Sequence, residues 1–242
     1  MLLIENLTKK FGDKTAVSEL NLHVSAGELY AFLGPNGAGK TTTIKCVAGL
    51  LWPTSGSVRV CGHDVQAEPV LARKRLSYVP DQPYLYEKLS GREFLAFVGK
   101  LYGLDTETCR RRIGELLELF DATEWADRLA EGYSHGMRQK IVLSAALLHD
   151  PDVLLIDEPM VGLDPRSSRL VRQVLRERVA KGCAVLMSTH TLNVAEEVAD
   201  RIGIMHRGRM VAEGTWAELR TATSASLEDV FLELTAEAAV EA

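Results

Sequence analysis

The chain has neither a long apolar run nor an excess of positive charge. No stretch approaches the ~18 consecutive apolar residues of a membrane-spanning helix, and the N-terminal MLLIENLTKKFG has too few apolar residues for a signal peptide. The 28 Lys and Arg residues against 33 Asp and Glu give a net charge of -5, which predicts no basic surface for nucleic acid. We therefore expect a soluble cytoplasmic chain that binds no nucleic acid and reaches a membrane only through a partner.

Cysteine is scarce and is not arranged for disulfides or for a metal. The four cysteines, Cys46, Cys61, Cys109 and Cys183, have no paired metal-ligand spacing, and the first and last lie within apolar runs. We expect all of them to be reduced, as is usual in a cytosolic protein. With 242 residues, the chain is long enough to bury a sizeable core without such cross-links.

Short apolar runs predict an α/β fold. Runs that are nearly continuous in hydrophobicity and separated by long connections are typical of buried parallel strands. They cover residues 28–33, 75–80, 152–157 and 183–190. More alternating segments with turn glycines predict an antiparallel side sheet. These segments are 2–12, 15–24 and 56–62, and residues 202–214 read as a hairpin around Arg207 and Gly208.

A helical subdomain is predicted between residues 84 and 150. Ser90 and Glu93 have the spacing of a capping box, and the helix that they start should end at Gly103. Further helices are predicted over 107–120 and from Ser134 to the Asp150–Pro151 pair. The predicted division is an α/β core of residues 1–83 and 151–220, the helical subdomain 84–150, and a helical C-terminal tail 221–242 that contains SLEDVFLELT.

The segment GPNGAGKTT has the clearest chemistry. It fits G-x-x-x-x-G-K-[ST] and lies between a predicted strand and a predicted helix over 42–49. Glycines let successive backbone N–H groups surround a phosphate, and the helix N-terminus adds the positive end of its dipole. Lys40 should reach the β- and γ-phosphates, and the Thr41 hydroxyl should bind Mg²⁺. The predicted phosphate-binding residues are Gly34, Pro35, Asn36, Gly37, Ala38, Gly39, Lys40, Thr41 and Thr42. A plain glycine-rich turn is the alternative.

Two carboxylates end a second apolar strand, in VLLIDEP. Asp157 is predicted to hold Mg²⁺, directly or through water, and Glu158 to act as the general base towards the attacking water. A solvated Asp-Glu pair in a loop is the alternative, but four apolar residues come directly before it. A third strand ends in MSTH, which brings His190 to the same carboxyl edge of the sheet, where α/β proteins collect ligand groups. By position alone, His190 could equally be a packing residue.

Five motifs together resemble those of a known family. GPNGAGKTT, YSHGMRQK (133–140), LLIDEP (154–159), GLDP (162–165) and STH (188–190), in this order, are similar to those of the ATP-binding subunit of an ATP-binding-cassette (ABC) transporter. The resemblance extends over roughly residues 2 to 220. It implies a P-loop NTPase (RecA-like) core with a mainly parallel sheet, an antiparallel side sheet and an inserted helical subdomain. Three segments further resemble those of bacterial ABC-2-type exporter ATPases: YSHGMRQK, residues 78–95 and SLEDVFLELT.

The resemblance implies roles for residues outside the P-loop. Ser134 and Gly136 would cap the γ-phosphate held by the P-loop of a second nucleotide-binding subunit, either identical or a paralogue. Asp164 would bridge the two subunits, Phe11 would stack on adenine, and His190 would contact the γ-phosphate and orient water. The local alternatives are a helix N-cap for Asp164, with Pro165 at the first helical position, and a core side chain for Phe11.

Some positions depart from the commoner family pattern. Tyr133, His135 and Met137 stand where leucine, glycine and glutamine are more usual, although Ser134 and Gly136 remain. The place of a Mg²⁺-contacting glutamine falls on Asp81, with Gln82 next. A carboxylate can bind Mg²⁺ but adds negative charge near phosphate, so both residues stay candidates.

The function that the resemblance implies is hydrolysis of ATP, with Mg²⁺, that drives an exporter. MgATP would join two subunits head to tail, and hydrolysis would release them and move a transmembrane permease partner at the inner face of the cell membrane. Tyr84, Leu85 and Tyr86 are expected to contact that partner, unless they only pack the helical subdomain. The alternatives are a soluble ABC ATPase of translation or DNA repair, a P-loop kinase, and a regulatory or assembly ATPase not coupled to transport.

Overall fold

The structure is a computed structural model, which describes residues 1–220 and Phe231. The predicted tail helix therefore lies outside the described residues, apart from Phe231. The strands are β1 Leu2–Phe11, β2 Lys14–Val24, β3 Leu29–Leu33, β4 Ser55–Val60, β5 His63–Asp64, β6 Leu76–Val79, β7 Val153–Asp157, β8 Ala184–Thr189, β9 Arg201–His206 and β10 Arg209–Gly214. The helices are α1 Lys40–Val47, α2 Pro69–Arg75, α3 Gly91–Leu101, α4 Thr106–Leu119, α5 His135–Leu147, α6 Pro165–Ala180, α7 Leu192–Val198 and α8 Trp216–Leu219, with a 3₁₀ turn at Ala130–Gly132.

The larger sheet has the strand order β10-β9-β3-β8-β7-β6. Neighbouring strands pair in parallel from β9 to β6, and only β10 joins antiparallel, through the predicted hairpin at Arg207 and Gly208. Every residue of β3, β7 and β8 is buried. Helices α3 to α7 cover one face of these strands, and α1 with β1, β2 and β4 covers the other. The four predicted parallel strands are confirmed as β3, β6, β7 and β8, and their carboxyl ends share one edge.

A smaller antiparallel sheet lies beside the first, with the order β2-β1-β4-β5. Its inward side chains alternate with outward polar ones and form a core with Tyr30 and Phe32 of β3 and with α1. The predicted side sheet is therefore confirmed. Its position matters for the site because the turn between β1 and β2 brings Phe11 next to the loop that follows β3.

Three helices, α3, α4 and α5, follow β6, an edge strand of the larger sheet. Ser90 caps α3 with the predicted capping box to Glu93, Asp105 caps α4, and Ser134 caps α5 by accepting a hydrogen bond from Met137 N. Their apolar faces belong to the same buried cluster as β3, β7 and β8. The helices are thus packed as one body with the sheet, although their standing as a separate subdomain stays a prediction.

The remaining expectations concern α1 and the cysteines. The first helix begins at Lys40 rather than Thr42, since Gly39 at its N-cap adopts a left-handed conformation (φ 109°) that starts the helix two residues earlier. All four cysteines are free, and Cys46, Cys109 and Cys183 are buried. The free cysteines agree with a core that is held by packing and not by disulfides.

Candidate active site

The loop from Gly34 to Gly39 joins β3 to α1 and presents backbone N–H groups at the carboxyl edge of the sheet. Gly39 must be glycine, because a Cβ there would lie 2.5 Å from Ala16 O. The first turn of α1 has free N–H groups and no acidic residue, so its positive dipole end faces the loop. This arrangement suits a phosphate anion.

Lys40 is buried at the first position of α1. Its ammonium donates hydrogen bonds to Gly34 O at 2.6 Å and to Pro35 O at 3.2 Å, so the side chain folds back over the loop. Burial lowers the pKa of Lys40, and the nearby carboxylates of Glu158 and Asp157 oppose that shift. When a nucleotide binds, the Lys40 ammonium can donate to phosphate oxygens in place of these carbonyl oxygens, with little rearrangement of the loop.

Asp157, the last residue of β7, is almost completely buried. Its Oδ1 accepts a hydrogen bond from the Ser188 hydroxyl on β8, while its Oδ2 has no hydrogen-bond partner in the part of the chain that the structure describes. A buried carboxylate oxygen without a partner is costly unless a cation or water satisfies it. Thr41 lines the same cavity, so the oxygen ligands present fit a hard divalent cation such as Mg²⁺.

Glu158 and His190 meet at the ends of β7 and β8. Glu158 Oε1 lies 2.8 Å from His190 Nδ1, and the Glu158 backbone has a left-handed φ of 51°. A non-glycine residue in this region is uncommon, and strain of this kind tends to occur at functional sites. The backbone N–H of Glu158 donates to Ser188 O at 3.1 Å, which holds the strained residue in place.

A cavity of about 320 Å³ brings most of the predicted residues together. It is lined by Phe11, Lys14, Ala16, Asn36, Gly37, Ala38, Gly39, Lys40, Thr41, Thr42, Asp81, Asp157 and Glu158. Gly34 and Pro35 adjoin it through Lys40, and His190 adjoins it through Glu158. Gln82 is exposed and is absent from the lining, so the geometry favours Asp81 over Gln82.

Phe11 ends β1 and is 48% exposed, so the alternative that it is a core residue is wrong. Lys9 Nζ lies 4.9 Å from the centre of its ring. The sequence reasoning missed Lys14 and Ala16, which line the same end of the cavity. The signal was present in the hairpin register, since Phe11 pairs directly with Lys14 across the turn.

Ser134, Gly136 and Asp164 do not line this cavity. Ser134 and Asp164 are exposed N-caps of α5 and α6, and Asp164 accepts hydrogen bonds from Ser167 N at 3.0 Å and Ser167 Oγ at 2.6 Å. Hydrogen bonds from Ser167 lower the pKa of Asp164. The predicted capping role of Asp164 is thus present, and within one chain Ser134 has no contact with the P-loop cavity.

The three residues that were expected to contact the permease partner differ in their exposure. Tyr84 is 70% exposed and Tyr86 47%, but Leu85 is fully buried in the cluster that joins the helices to the sheet. The expectation for Leu85 was wrong, because its side chain packs into this cluster while the neighbouring Tyr84 and Tyr86 remain exposed. Among residues 1–220, no helix combines the length and apolar character that crossing a membrane requires.

Comparison with known sequences identifies the family. The model of the family described as "ABC transporter" matches residues 17–161. The daunorubicin/doxorubicin resistance ATP-binding protein DrrA of Streptomyces peucetius is 42% identical over 221 residues, which are 91% of this chain and 67% of that protein. The Nod factor export ATP-binding protein I of Paraburkholderia xenovorans is 38% identical over 210 residues, 87% of this chain and 69% of that protein.

Solved structures agree with the sequence matches. An ATP-binding subunit of an ABC transporter is similar with a TM-score of 0.93 at 34% identity, covering 97% of this chain and 99% of that one. The dimeric ATP-binding cassette MJ0796, in a post-hydrolysis state bound to ADP and phosphate, has a TM-score of 0.82 at 26% identity, covering 89% and 98%. The expected P-loop NTPase fold is confirmed, and the chain belongs to the ABC transporter family as an ATP-binding subunit that hydrolyses ATP.

Proposed function

We propose that two nucleotide-binding subunits pair head to tail around two ATP molecules, and that each site combines the P-loop of one subunit with Ser134 and Gly136 of the other. The observation that carries this proposal is the position of Ser134. It begins a 13-residue helix whose first turn holds no acidic residue, it is exposed, and it lies outside the cavity of its own chain. A hydroxyl at an exposed helix N-terminus is suited to cap an anion that another subunit presents.

Within each site, Lys40 and the backbone of residues 34–42 bind the phosphates, and Phe11 stacks on the adenine. Glu158 accepts the proton of the attacking water, and His190 holds the Glu158 carboxylate and contacts the γ-phosphate. Thr41, Asp157 and Asp81, with Gln82 as the weaker candidate, hold Mg²⁺, which neutralises charge on the phosphate oxygens. The partnerless Oδ2 of Asp157 supports this ligand set.

The work of hydrolysis is transmitted to a transmembrane permease subunit, which keeps the chain at the inner face of the cell membrane. Export is the direction that we propose, since relatives are named for drug resistance and for Nod factor export. We also propose that residues 1–220 are one ABC nucleotide-binding domain, with a helical signature subdomain of residues 84–150 between the core segments 1–83 and 151–220. Exposed aromatic side chains at Tyr84 and Tyr86 support a docking face for the permease.

A complementation experiment tests the shared sites. The Lys40→Ala and Ser134→Ala variants should each have little ATPase activity, because each substitution inactivates both sites of a homodimer. Mixed dimers have one intact site, formed by Lys40 of one chain and Ser134 of the other. Mixing equal amounts should therefore restore activity up to about a quarter of the wild-type rate, since half of the dimers are mixed and each of these keeps one site of two.

If both residues served a nucleotide within the same chain, mixing would restore no activity, and the head-to-tail arrangement would be wrong. The readouts are ATP hydrolysis and ATP-dependent dimer formation by size-exclusion chromatography. Lys45→Ala is the matched control for the lysine, because Lys45 lies on the same helix but outside the cavity. Wild-type chain that never dimerises with ATP would instead favour a paralogue partner, or the regulatory ATPase not coupled to transport.

A further inference from the structure

His135, the first residue of α5, is hydrogen-bonded to the loop that follows Glu158. Its Nε2 lies 3.2 Å from Val161 O. A carbonyl oxygen can only accept, so Nε2 carries the proton in this contact. His135, which follows Ser134 in sequence, is therefore hydrogen-bonded to the loop that begins at Glu158, the proposed general base.

The backbone on the other side of the contact is shaped to receive the imidazole ring. Gly162 has a left-handed φ of 74°, and a Cβ at this position would lie 2.4 Å from His135 Cδ2. Only glycine allows the ring to lie this close to the loop. The loop thus accommodates the His135 ring in two ways: Val161 O accepts its hydrogen bond, and Gly162 leaves space for the ring.

The path from Val161 back to Glu158 is one turn long. Val161 N donates to Glu158 O at 3.3 Å, which closes the turn. Glu158 itself has the left-handed φ of 51°, and its N–H is held by Ser188 O. A displacement of Val161 would consequently be transmitted to the backbone of Glu158 through the hydrogen bond that closes this turn.

We propose that His135 is a positioning residue that couples the two ATP sites of the dimer. The inference rests on the head-to-tail function proposed above, in which Ser134 serves the partner's nucleotide while Glu158 serves the chain's own. Closure of Ser134 over one nucleotide then fixes Val161, through His135, and places Glu158 for water activation at the other.

The exposure of the contact agrees with this role. His135 and Val161 are both exposed in the single chain, on the same edge as Ser134. An exposed hydrogen bond contributes little, whereas the same bond gains strength when a partner excludes water. The coupling should therefore be weak in the free subunit and effective in the closed dimer.

The test compares His135→Leu with His135→Gln in the full chain. Leucine removes the N–H donor, so kcat should fall about fivefold and the cooperativity of hydrolysis in ATP should be lost, while KM stays within about twofold. Glutamine keeps an N–H donor and should hold kcat within about twofold of wild type. His23→Leu, at an exposed histidine of β2 far from this loop in the sheet order, is the matched control.

A second readout separates coupling from loss of dimerisation. In a Glu158→Gln background, His135→Leu should still form the ATP-dependent dimer, because Ser134 and the P-loop are untouched. A His135→Leu enzyme with wild-type kcat and cooperativity overturns the inference, as does a glutamine variant that is as impaired as the leucine variant. Absence of ATP-dependent dimers in the Glu158→Gln parent would instead overturn the pairing between copies of this chain.

Discussion

The imidazole of His190 contacts the carboxylate of Glu158, with 2.8 Å between Nδ1 and Oε1. The two residues follow β7 and β8, which pair in parallel with Asp157 opposite Ser188, so the sheet register itself brings them together. The Glu158 side chain is 16% exposed and that of His190 is 56% exposed. The contact leaves the carboxylate oriented at the mouth of the P-loop cavity, where a water molecule attacking phosphate would have to lie.

Replacing Glu158 by glutamine should abolish turnover but not ATP binding. The amide keeps the shape of the side chain but cannot accept the proton of the attacking water, so kcat should fall about 10²- to 10⁴-fold. The variant should accumulate as an ATP-bound dimer, measured by size-exclusion chromatography with bound-nucleotide analysis. Glu177→Gln, on the exposed face of α6, is the control and should behave as wild type. Normal hydrolysis by the Glu158 variant would mean that another group is the base.

Replacing Lys40 by alanine should weaken nucleotide binding. The ammonium belongs to the cavity in which the phosphates would bind, and burial of the side chain lowers its pKa. Loss of a charge-assisted contact of this kind costs about 1.5–3 kcal/mol, or about 10- to 100-fold in ATP affinity. Isothermal titration with ATP and Mg²⁺ measures it, beside Lys45→Ala. Equal affinity in the two variants would contradict the role of Lys40.

The Mg²⁺ dependence of ATPase activity should show whether Asp81 or Gln82 contacts the metal. Asp81 lines the cavity, whereas Gln82 is exposed. Burial raises the pKa of the neighbouring Tyr78, and the charges of Asp157 and Asp81 add to that shift. Asp81→Ala should therefore raise the Mg²⁺ concentration for half-maximal ATPase about tenfold, while Gln82→Ala leaves it unchanged. The measurement is a Mg²⁺ titration at saturating ATP. The reverse result would assign the contact to Gln82.

Much of this architecture was predictable because its signals are local. The runs of buried apolar residues mark β3, β7 and β8, and the capping box at Ser90 marks the start of α3. The phosphate loop was predictable for the same reason, since its glycines and Lys40 are adjacent in sequence. Its helix starts earlier than expected only because the left-handed Gly39 can itself serve as N-cap.

The features that sequence reasoning missed depend on tertiary register. Lys14 and Ala16 reach the cavity only because the β1–β2 hairpin lies over the P-loop. The hydrogen bond between His135 and Val161 joins residues 26 positions apart, and no sequence periodicity predicts it. Leu85 was expected at the surface with its aromatic neighbours, but it is fully buried in a cluster that includes Leu95 of α3, a contact that the local sequence does not predict.

Protonation of His149 should destabilise the fold in acid. Its ring stacks on Tyr102 at 3.5 Å, and burial lowers its pKa from 6.5 to about 4. As pH falls below 6.5, the unfolded chain binds a proton that the folded chain does not bind until about pH 4, so the free energy of unfolding decreases across this window. His149→Phe keeps the stacked ring and should reduce the acid-induced loss by about 1–2 kcal/mol, after allowance for partial exposure. Urea unfolding at several pH values measures it, with His23→Phe as control.

Tyr84 should couple ATP hydrolysis to the permease without contributing to hydrolysis itself. Its ring is 70% exposed and contacts the aromatic ring of Tyr86, which in turn packs against Phe94 and Phe97. Tyr84→Ser should thus leave folding and basal ATPase nearly unchanged, while transport by the reconstituted complex falls several-fold, because an exposed aromatic anchor of an interface is typically worth 2 kcal/mol or more, roughly 30-fold in affinity.

Leu85 provides the contrast that makes this test specific. It is fully buried, so Leu85→Ser would lower the free energy of unfolding by about 3 kcal/mol or more and reduce transport and ATPase together. Tyr84→Phe keeps the ring and should retain transport. The measurements are thermal melting, basal ATPase of the isolated chain, and transport with the permease in vesicles. If Tyr84→Ser lost ATPase and transport in equal proportion, the residue would be part of the fold rather than of a docking surface, since a coupling contact is absent from the isolated chain.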